Sequence, residues 1–144
     1  MSDTAYEERI VRTVEAFRQN RYDVSRFAER TAAADYLAAE IRGKRVGFGD
    51  SETLRALSLY ERLSVHNEVI DPPRAGHVGG IEAFLAAGRE ALMTDVFLLS
   101  ANAITEEGQI LNMDGAGNRV AGSLFGHEKT YFVVGINKLV PDIE

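Results

Sequence analysis

Short apolar runs alternate with amphipathic stretches along the chain, and this alternation restricts the fold more than any other feature of the sequence. Residues 95–100 and 130–135 are continuous apolar runs, the pattern typical of strands that are covered on both faces. Elsewhere apolar residues recur at helical spacing, as in Ala33, Leu37 and Ile41. The alternation therefore predicts an α/β fold in which helices flank a mostly parallel sheet.

The same patterns assign the individual elements. Helices are expected at residues 4–19, from Ala33 to a stop at Gly43, at 52–59 and at 81–92. Strands are expected at residues 22–27, 44–49, 64–70, 95–100 and 130–135. The Asp71-Pro72-Pro73 sequence is expected to form a turn, since neither proline can continue a strand ladder. Residues 103–111 place Glu-Gly between two β-prone pieces, which predicts a small hairpin insertion.

Length and composition limit the kinds of function. With 144 residues, of which 45% are hydrophobic and 26% charged, the chain is expected to form a single domain over residues 1–144. Its formal charge of -6 opposes binding to nucleic-acid phosphates. It has no cysteine, so no cofactor or metal is expected to be bound through thiolates. The N-terminus has no signal-peptide pattern and no stretch reaches the ~18 apolar residues of a membrane span, which makes the cytoplasm the expected location.

The first glycine-bearing segment that suggests chemistry is residues 46–54, where a strand leads through a tight turn into a helix. Backbone N–H groups from Gly49 onward, with the hydroxyls of Ser51 and Thr53, could hold an anion at the positive end of that helix. Asp50 and Ser51 are equally good helix caps, so plain capping is the alternative. Asp50 and Glu52 would also repel a phosphate unless a cation compensates them.

The second such segment, residues 112–119, combines one carboxylate, one guanidinium, two amides and two glycines. Gly115 and Gly117 permit a left-handed backbone and close approach of a ligand, and Arg119 could pair with a carboxylate or phosphate. Asp114 is a candidate base. In the alternative interpretation Asp114 and Asn118 satisfy backbone groups and Arg119 forms an internal salt bridge.

Three further groups of residues are weaker candidates. Asp95 begins a buried strand beside the expected crevice and could be a general base, although such a residue more often caps a turn. Lys138 lies at the expected carboxyl end of an apolar strand, where ligands bind in open sheets. Arg74 could close over an acid, although solvent exposure is the favoured interpretation. No metal site is expected from the three histidines, which have no metal-binding spacing: His66, His77 and His127.

Three stretches of the sequence resemble the LUD-domain (lactate utilisation protein) family. They are VGFGDSETL at residues 46–54, DVFLLSANAITEEGQILNMDGAGNRVA at residues 95–121 and, after Phe125-Gly126, VVGINKLV at residues 133–140. The stretches follow one another in a consistent order and are spread over most of the chain, from residue 46 to residue 140. The agreement is specific at the level of the family.

This resemblance implies a fold and a set of site residues. The fold would be a three-layer, Rossmann-like sandwich similar to those of ribose-phosphate isomerase, glucosamine-phosphate deaminase and CoA transferases. In those proteins the turn after an early strand commonly receives phosphate, and residues after a later strand face the reacting carbon. The first region matches Gly49, Asp50, Ser51, Glu52 and Thr53, and the second matches Asn102, Asp114, Gly115, Asn118 and Arg119.

The resemblance also implies a role in bacterial oxidation of L-lactate to pyruvate beside iron–sulfur and flavin-type oxidoreductase partners. Many relatives continue past Asn137-Lys138 into a helix and a cysteine-bearing tail, whereas this sequence stops soon after Pro141, where a helix would begin.

Three functions stay open. The first is an accessory component of lactate oxidation that binds a small anionic metabolite or partner subunits. The second is an isomerase, transferase or hydrolase acting on a phosphorylated or carboxylated metabolite. The third is a non-catalytic domain that senses a metabolite. Whether the chain is an enzyme by itself, and whether it forms a homo-oligomer, also stays open.

Overall fold

The structure, a computed structural model, describes residues 3–144, and these residues form two compact units. We call them the sheet unit, Phe27–Ser100 with Met113–Val133, and the hairpin unit, residues 3–26 with Ala101–Asn112 and Val134–Glu144. The prediction of a single domain over residues 1–144 stays a prediction.

The secondary structure consists of helices and short strands in the expected alternation. The helices are α1 (Asp3–Gln19), α2 (Arg30–Glu40), α3 (Glu52–Ala56), α4 (Leu59–Leu63), α5 (Pro72–Ala91) and α6 (Asn118–Leu124), with a 3-10 helix at Ile136–Lys138. The strands are β1 (Arg45–Phe48), β2 (Glu68–Ile70), β3 (Val96–Leu99), β4 (Ala103–Thr105), β5 (Ile110–Leu111), β6 (Lys129–Phe132) and β7 (Leu139–Val140).

The sheet unit contains a four-stranded sheet in the order β2-β1-β3-β6, and every neighbouring pair is parallel. Successive residues of a strand point to opposite faces, and both faces of this sheet are covered. Val46 and Leu98 pack with α2, α3 and α4 on one face, whereas Phe97 and Leu99 pack with α5 on the other. The predicted α/β fold class with a mostly parallel sheet between helical layers is confirmed.

The predicted turn at Asp71-Pro72-Pro73 is wrong, because α5 begins there. Both prolines lie in the first helical turn, where the fixed proline φ suits a helix. Proline has no N–H group, but the N–H groups of the first turn make no hydrogen bond within the helix, so none is lost. The helix is interrupted at Gly80, whose φ of 71° is in the left-handed region. The predicted helical stretch at residues 81–92 is therefore the second half of a longer, kinked element.

Two other boundaries differ from the prediction. The single helix expected at residues 52–59 is divided into α3 and α4 at Ser58, which has a φ of 51°. The strand expected at residues 64–70 begins only at Glu68, since the preceding residues form a turn. Asn67 stabilises this turn by donating from its side chain to the carbonyls of Ile41 and Leu63 at 2.8 and 2.9 Å.

In the hairpin unit, β4 and β5 form the predicted antiparallel hairpin, and β7 adds to β4 in parallel. The strand predicted at residues 22–27 is wrong, because Tyr22 instead folds back onto α1. Its N–H donates to the carbonyl of Phe17 at 3.0 Å, and the two rings meet edge to face at 5.3 Å. None of the helices in the described range 3–144 is long and apolar enough to cross a membrane.

Candidate functional site

The carboxyl ends of β1 and β3 mark the point of the sheet unit where the chain order reverses, since β2 lies on one side of β1 and β3 on the other. Ligands of open α/β sheets bind in the crevice at such a point. Gly49 continues β1, and its N–H donates to the carbonyl of Leu98 at 2.8 Å. The hydroxyls of Thr53 and Ser100 meet at 3.3 Å. The turn at residues 49–53 therefore lies at the edge of the sheet where ligands are expected.

Helix capping accounts for much of the polar chemistry of this turn. The hydroxyl of Ser51 accepts from the N–H of Leu54 at 3.3 Å. Arg55 reaches back to the carboxylates of Asp50 and Glu52 at 3.0 and 2.6 Å, and its hydrogen bond lowers the pKa of Glu52. One guanidinium thus pairs with both carboxylates and offsets one of their two negative charges. Binding of an anion by the turn stays a prediction.

A buried ion pair joins Asp114 to Arg119 in the second predicted segment. Arg119 Nε donates to Asp114 Oδ1 at 2.6 Å, and their side chains are 14% and 7% exposed. The other oxygen of Asp114 accepts from the N–H of Val120 at 2.6 Å, and Arg119 also donates to the carbonyl of Met113 at 2.9 Å. This geometry is the internal salt bridge considered as the alternative in the sequence. The ligand-binding and catalytic roles of the two residues stay predictions.

Arg119 also lies against the first segment, which brings the two predicted segments together. A Cβ at Gly49 would be 3.1 Å from Arg119 Cγ and 3.1 Å from Leu99 Cβ, so the side chains pack closely over the glycine. Gly117 has a φ of 80° at the start of α6, as a glycine in a tight turn can. Asn118 is the first residue of α6, and Gly115 lies in the preceding loop.

The expected position of Asp95 beside the crevice is wrong. Asp95 precedes β3 at the amino edge of the sheet, and in a parallel sheet this edge is opposite the carboxyl ends. Its carboxylate accepts from the N–H of Arg45 at 2.8 Å, so the side chain caps the start of β1. The interpretation of Asp95 as a turn cap describes this arrangement, and its catalytic role stays a prediction.

Asn102 and Lys138 belong to the hairpin unit rather than to the sheet unit. The N–H of Asn102 donates to the carbonyl of Leu111 at 3.0 Å, within the hairpin. Lys138 ends the 3-10 helix instead of a strand, so its expected position at the carboxyl end of an apolar strand is wrong. A short strand, β7, follows it. The ligand-binding roles of both residues stay predictions.

A cavity of about 240 Å³ opens between the carboxyl ends of β1 and β2, and we call it the Asp71 cavity. The predicted residues Gly49 and Ser51 line one side. Five other polar residues of its lining had no predicted site role: Arg55, Ser58, Tyr60, Glu61 and Asp71. Asp71 could have been identified from its position directly after a predicted strand, because ligands of open α/β sheets bind at the carboxyl ends of the strands.

The Asp71 cavity contains two guanidinium groups and one half-buried carboxyl group. Arg74 lies 3.8 Å from the centre of the Tyr60 ring and donates to Glu61 at 2.6 Å, which fixes its guanidinium at the rim. Arg74, predicted to be exposed or to close over an acid, therefore does line a cavity. Burial raises the pKa of Asp71, although the Arg74 backbone amide and the charges of Arg74 and Arg55 act against this shift. Among residues 3–144 no three acidic or histidine side chains are grouped closely enough to hold a metal ion.

A parallel sheet whose chain order reverses beside β1, with helices on both faces, defines an open-sheet α/β protein. Comparison with known families then identifies the family: the model described as LUD domain matches residues 10–144, and the chain belongs to the LUD-domain family. The family suggests a role connected with lactate utilisation. No curated protein and no solved structure matches the chain significantly.

Proposed function

We propose that this protein is an accessory component of bacterial L-lactate oxidation to pyruvate and that it binds a small carboxylate in the Asp71 cavity. Electron transfer is carried out by iron–sulfur or flavin-type partner proteins, since this sequence supplies no cysteine. The observation that carries the proposal is the cavity of about 240 Å³ with two arginines at the carboxyl edge of the sheet.

The size of the cavity favours a metabolite of a few heavy atoms. Pockets for drug-sized ligands span roughly 300–1,000 Å³, and the Asp71 cavity is smaller than that range. Phe48 and Leu54 supply an apolar part of the wall, and Ser51 supplies a polar part. The Ser51 hydroxyl accepts one hydrogen bond from Leu54, and its own proton can be donated to a ligand oxygen.

The charges of the lining favour a monoanion over a phosphate. Arg55 and Arg74 share the lining with Glu61 and Asp71, and Arg55 is also bonded to the carboxylates of Asp50 and Glu52, so the two cations do not outnumber the carboxylates around them. A doubly charged phosphate would add two negative charges to this partly enclosed space, whereas a monocarboxylate adds only one. This charge balance favours the lactate-related function over the alternative of an enzyme for phosphorylated metabolites.

Arg119 and Gly49 shape the crevice next to this cavity. Asp114 fixes Arg119 at Nε, and Arg119 in turn packs over Gly49, which lines the Asp71 cavity. In the proposed function the Asp114–Arg119 ion pair holds the turn at residues 49–53 in place. Arg119 is therefore a positioning residue for the bound carboxylate.

Calorimetric titration of the purified full chain with L-lactate and pyruvate tests the proposal. Arg74→Gln removes one charged donor from the cavity, and we expect it to weaken binding at least about tenfold, since a hydrogen bond to a charged group contributes about 1.5–3 kcal/mol. Arg62→Gln is the matched control, because Arg62 forms a similar exposed pair with Asp35 outside the cavity. Equal loss of binding in the two variants, or no binding to the wild type, would contradict a carboxylate site in the cavity.

A further inference from the structure

We propose that Asp71 makes the cavity take up one proton together with each small monocarboxylate, so that Asp71 determines the specificity for monoanions against dianions. This inference rests on the proposed function, because it concerns the same cavity. It adds what the carboxyl group does there and which class of ligand it admits.

The placement of Asp71 is the first part of the argument. Its side chain is 12% exposed and lines the cavity at the end of β2. It precedes α5, and the backbone amide of Arg74 lies close enough to act on its carboxyl group, although the geometry falls short of a regular capping hydrogen bond. Arg74 Nε approaches its Oδ2 only to 3.9 Å, which is longer than a direct hydrogen bond. A carboxyl group that is buried to this extent without a close ion pair is well placed to exchange a proton when a ligand arrives.

The charges around Asp71 are the second part. The lining holds the guanidinium groups of Arg55 and Arg74 and the carboxylate of Glu61 beside Asp71, and protonation of Asp71 removes one negative charge from it. The remaining titratable groups nearby are Asp50 and Glu52, both bonded to Arg55, and Tyr60, which lies under Arg74. Asp50 adds negative charge near Asp71 and favours its protonated form.

A bound monocarboxylate strengthens this preference. Its negative charge beside Asp71 disfavours a second carboxylate, so the proton moves from solvent to an oxygen of Asp71 as the ligand enters. The protonated carboxyl group then donates one hydrogen bond to the ligand carboxylate. The proton taken up therefore offsets the negative charge that the monocarboxylate brings. One proton offsets only half of the charge of a phosphate dianion, and the cavity therefore selects against it.

Proton uptake makes the affinity depend on pH with a defined sign. Binding is strongest at low pH, where Asp71 is already protonated, and it weakens as the pH rises. One proton taken up per ligand corresponds to a loss of about tenfold in affinity per pH unit above the titration of Asp71 in the unliganded protein.

Calorimetry of the full chain with pyruvate, from about pH 5 to about pH 8, measures this dependence. At each pH, two buffers of different ionisation enthalpy count the protons taken up, and inorganic phosphate serves as the dianion probe at the upper end of the range, where it is mainly doubly charged. We expect proton uptake with pyruvate, an affinity that falls with rising pH, and weak binding of phosphate at the upper end of the range.

Asp71→Asn is the decisive variant, because asparagine has the same shape as the protonated carboxyl group and is also a good residue before a helix. It is expected to bind pyruvate without proton uptake, with little pH dependence, and more tightly than the wild type at the upper pH limit. Asp35→Asn, which removes an exposed carboxylate outside the cavity, is expected to keep the wild-type pH dependence.

The outcomes separate this inference from the proposed function. Binding that is lost in Arg74→Gln but shows no proton uptake overturns the role of Asp71 and leaves the carboxylate site intact. Proton uptake that persists in Asp71→Asn, or phosphate binding as tight as pyruvate binding, also overturns it. Absence of binding at every pH overturns both.

Discussion

Replacement of Gly122 by alanine tests the packing of α6 on the sheet. Gly122 is buried in α6, and glycine inside a helix is normally about 0.5–1 kcal/mol less favourable than alanine. Here, however, an added Cβ would lie 2.5 and 2.7 Å from two ring carbons of Phe97, more than 0.5 Å closer than carbon atoms normally approach. Helix propensity therefore favours alanine at this position, whereas packing against Phe97 favours glycine.

Packing is expected to dominate because the Phe97 ring has no room to move. Phe97 is 1% exposed, and its ring stacks on His127 at 4.9 Å between centroids. Overpacking of a core costs about 1–3 kcal/mol, and a rigid, enclosed ring puts Gly122→Ala near the upper end of that range. After subtraction of the gain in helix propensity, we expect the free energy of unfolding to fall by about 2 kcal/mol.

Gly88 in α5 is the matched control, since an added Cβ there would meet only Asn118 Cβ, at an ordinary contact distance of 4.0 Å. Gly88→Ala is expected to raise the free energy of unfolding by up to about 1 kcal/mol. Urea denaturation measures both changes, and the thermal midpoint of Gly122→Ala should fall by about 4–8 °C. A Gly122→Ala protein as stable as the wild type would refute the packing argument.

Two more predictions concern the carboxylates of the site. Asp114→Ala removes the carboxylate to which Arg119 and the N–H of Val120 donate, so denaturation should show that the free energy of unfolding falls by about 3 kcal/mol or more. Asp35→Ala, at an exposed pair, should cost less than about 1 kcal/mol, and similar losses would contradict the burial argument. Because the pKa of Asp71 is raised in the folded protein, the folded state binds its proton more tightly than the unfolded state, and stability is lost as the pH rises from the ordinary value of about 3.9 through the raised one. Asparagine does not titrate, so the free energy of unfolding of Asp71→Asn should rise relative to that of the wild type as the pH rises through that interval. Urea denaturation at several pH values measures this difference. A difference that does not change with pH would contradict the raised pKa.

Local apolar patterns were sufficient to predict three strands of the main sheet, β1, β3 and β6, whereas β2 is shorter than predicted and the strand predicted at residues 22–27 is wrong. The runs that became β1, β3 and β6 are short and continuous because both faces of a parallel sheet are covered, and this property is visible in local sequence. The turn at residues 49–53 could also be assigned to the carboxyl edge, because it follows a predicted strand directly.

Features that depend on distant partners could not be predicted in this way. The prolines at Pro72 and Pro73 suit a turn and the first turn of a helix equally well, so sequence alone did not decide between them. Asp95 was predicted to lie beside the crevice because it begins a predicted strand. Its side chain instead accepts a hydrogen bond from Arg45, which is far away in the sequence, and local sequence does not reveal this partner. The Asp71 cavity needed residues from β1, α3, α4 and α5, and no local pattern brings these together.

The interleaving of the two units has a consequence for the order in which they can form. The sheet unit is complete once Met113–Val133 has been synthesised, since β6 closes its four-stranded sheet. The hairpin unit takes its third strand, β7, from the later residues Leu139–Val140, which pair with β4. During translation β4 and β5 therefore emerge from the ribosome well before their partner, and the open edge of β4 stays exposed in the nascent chain for that interval. During that interval the edge of β4 can pair with a strand of another chain, until β7 leaves the ribosome and pairs with β4.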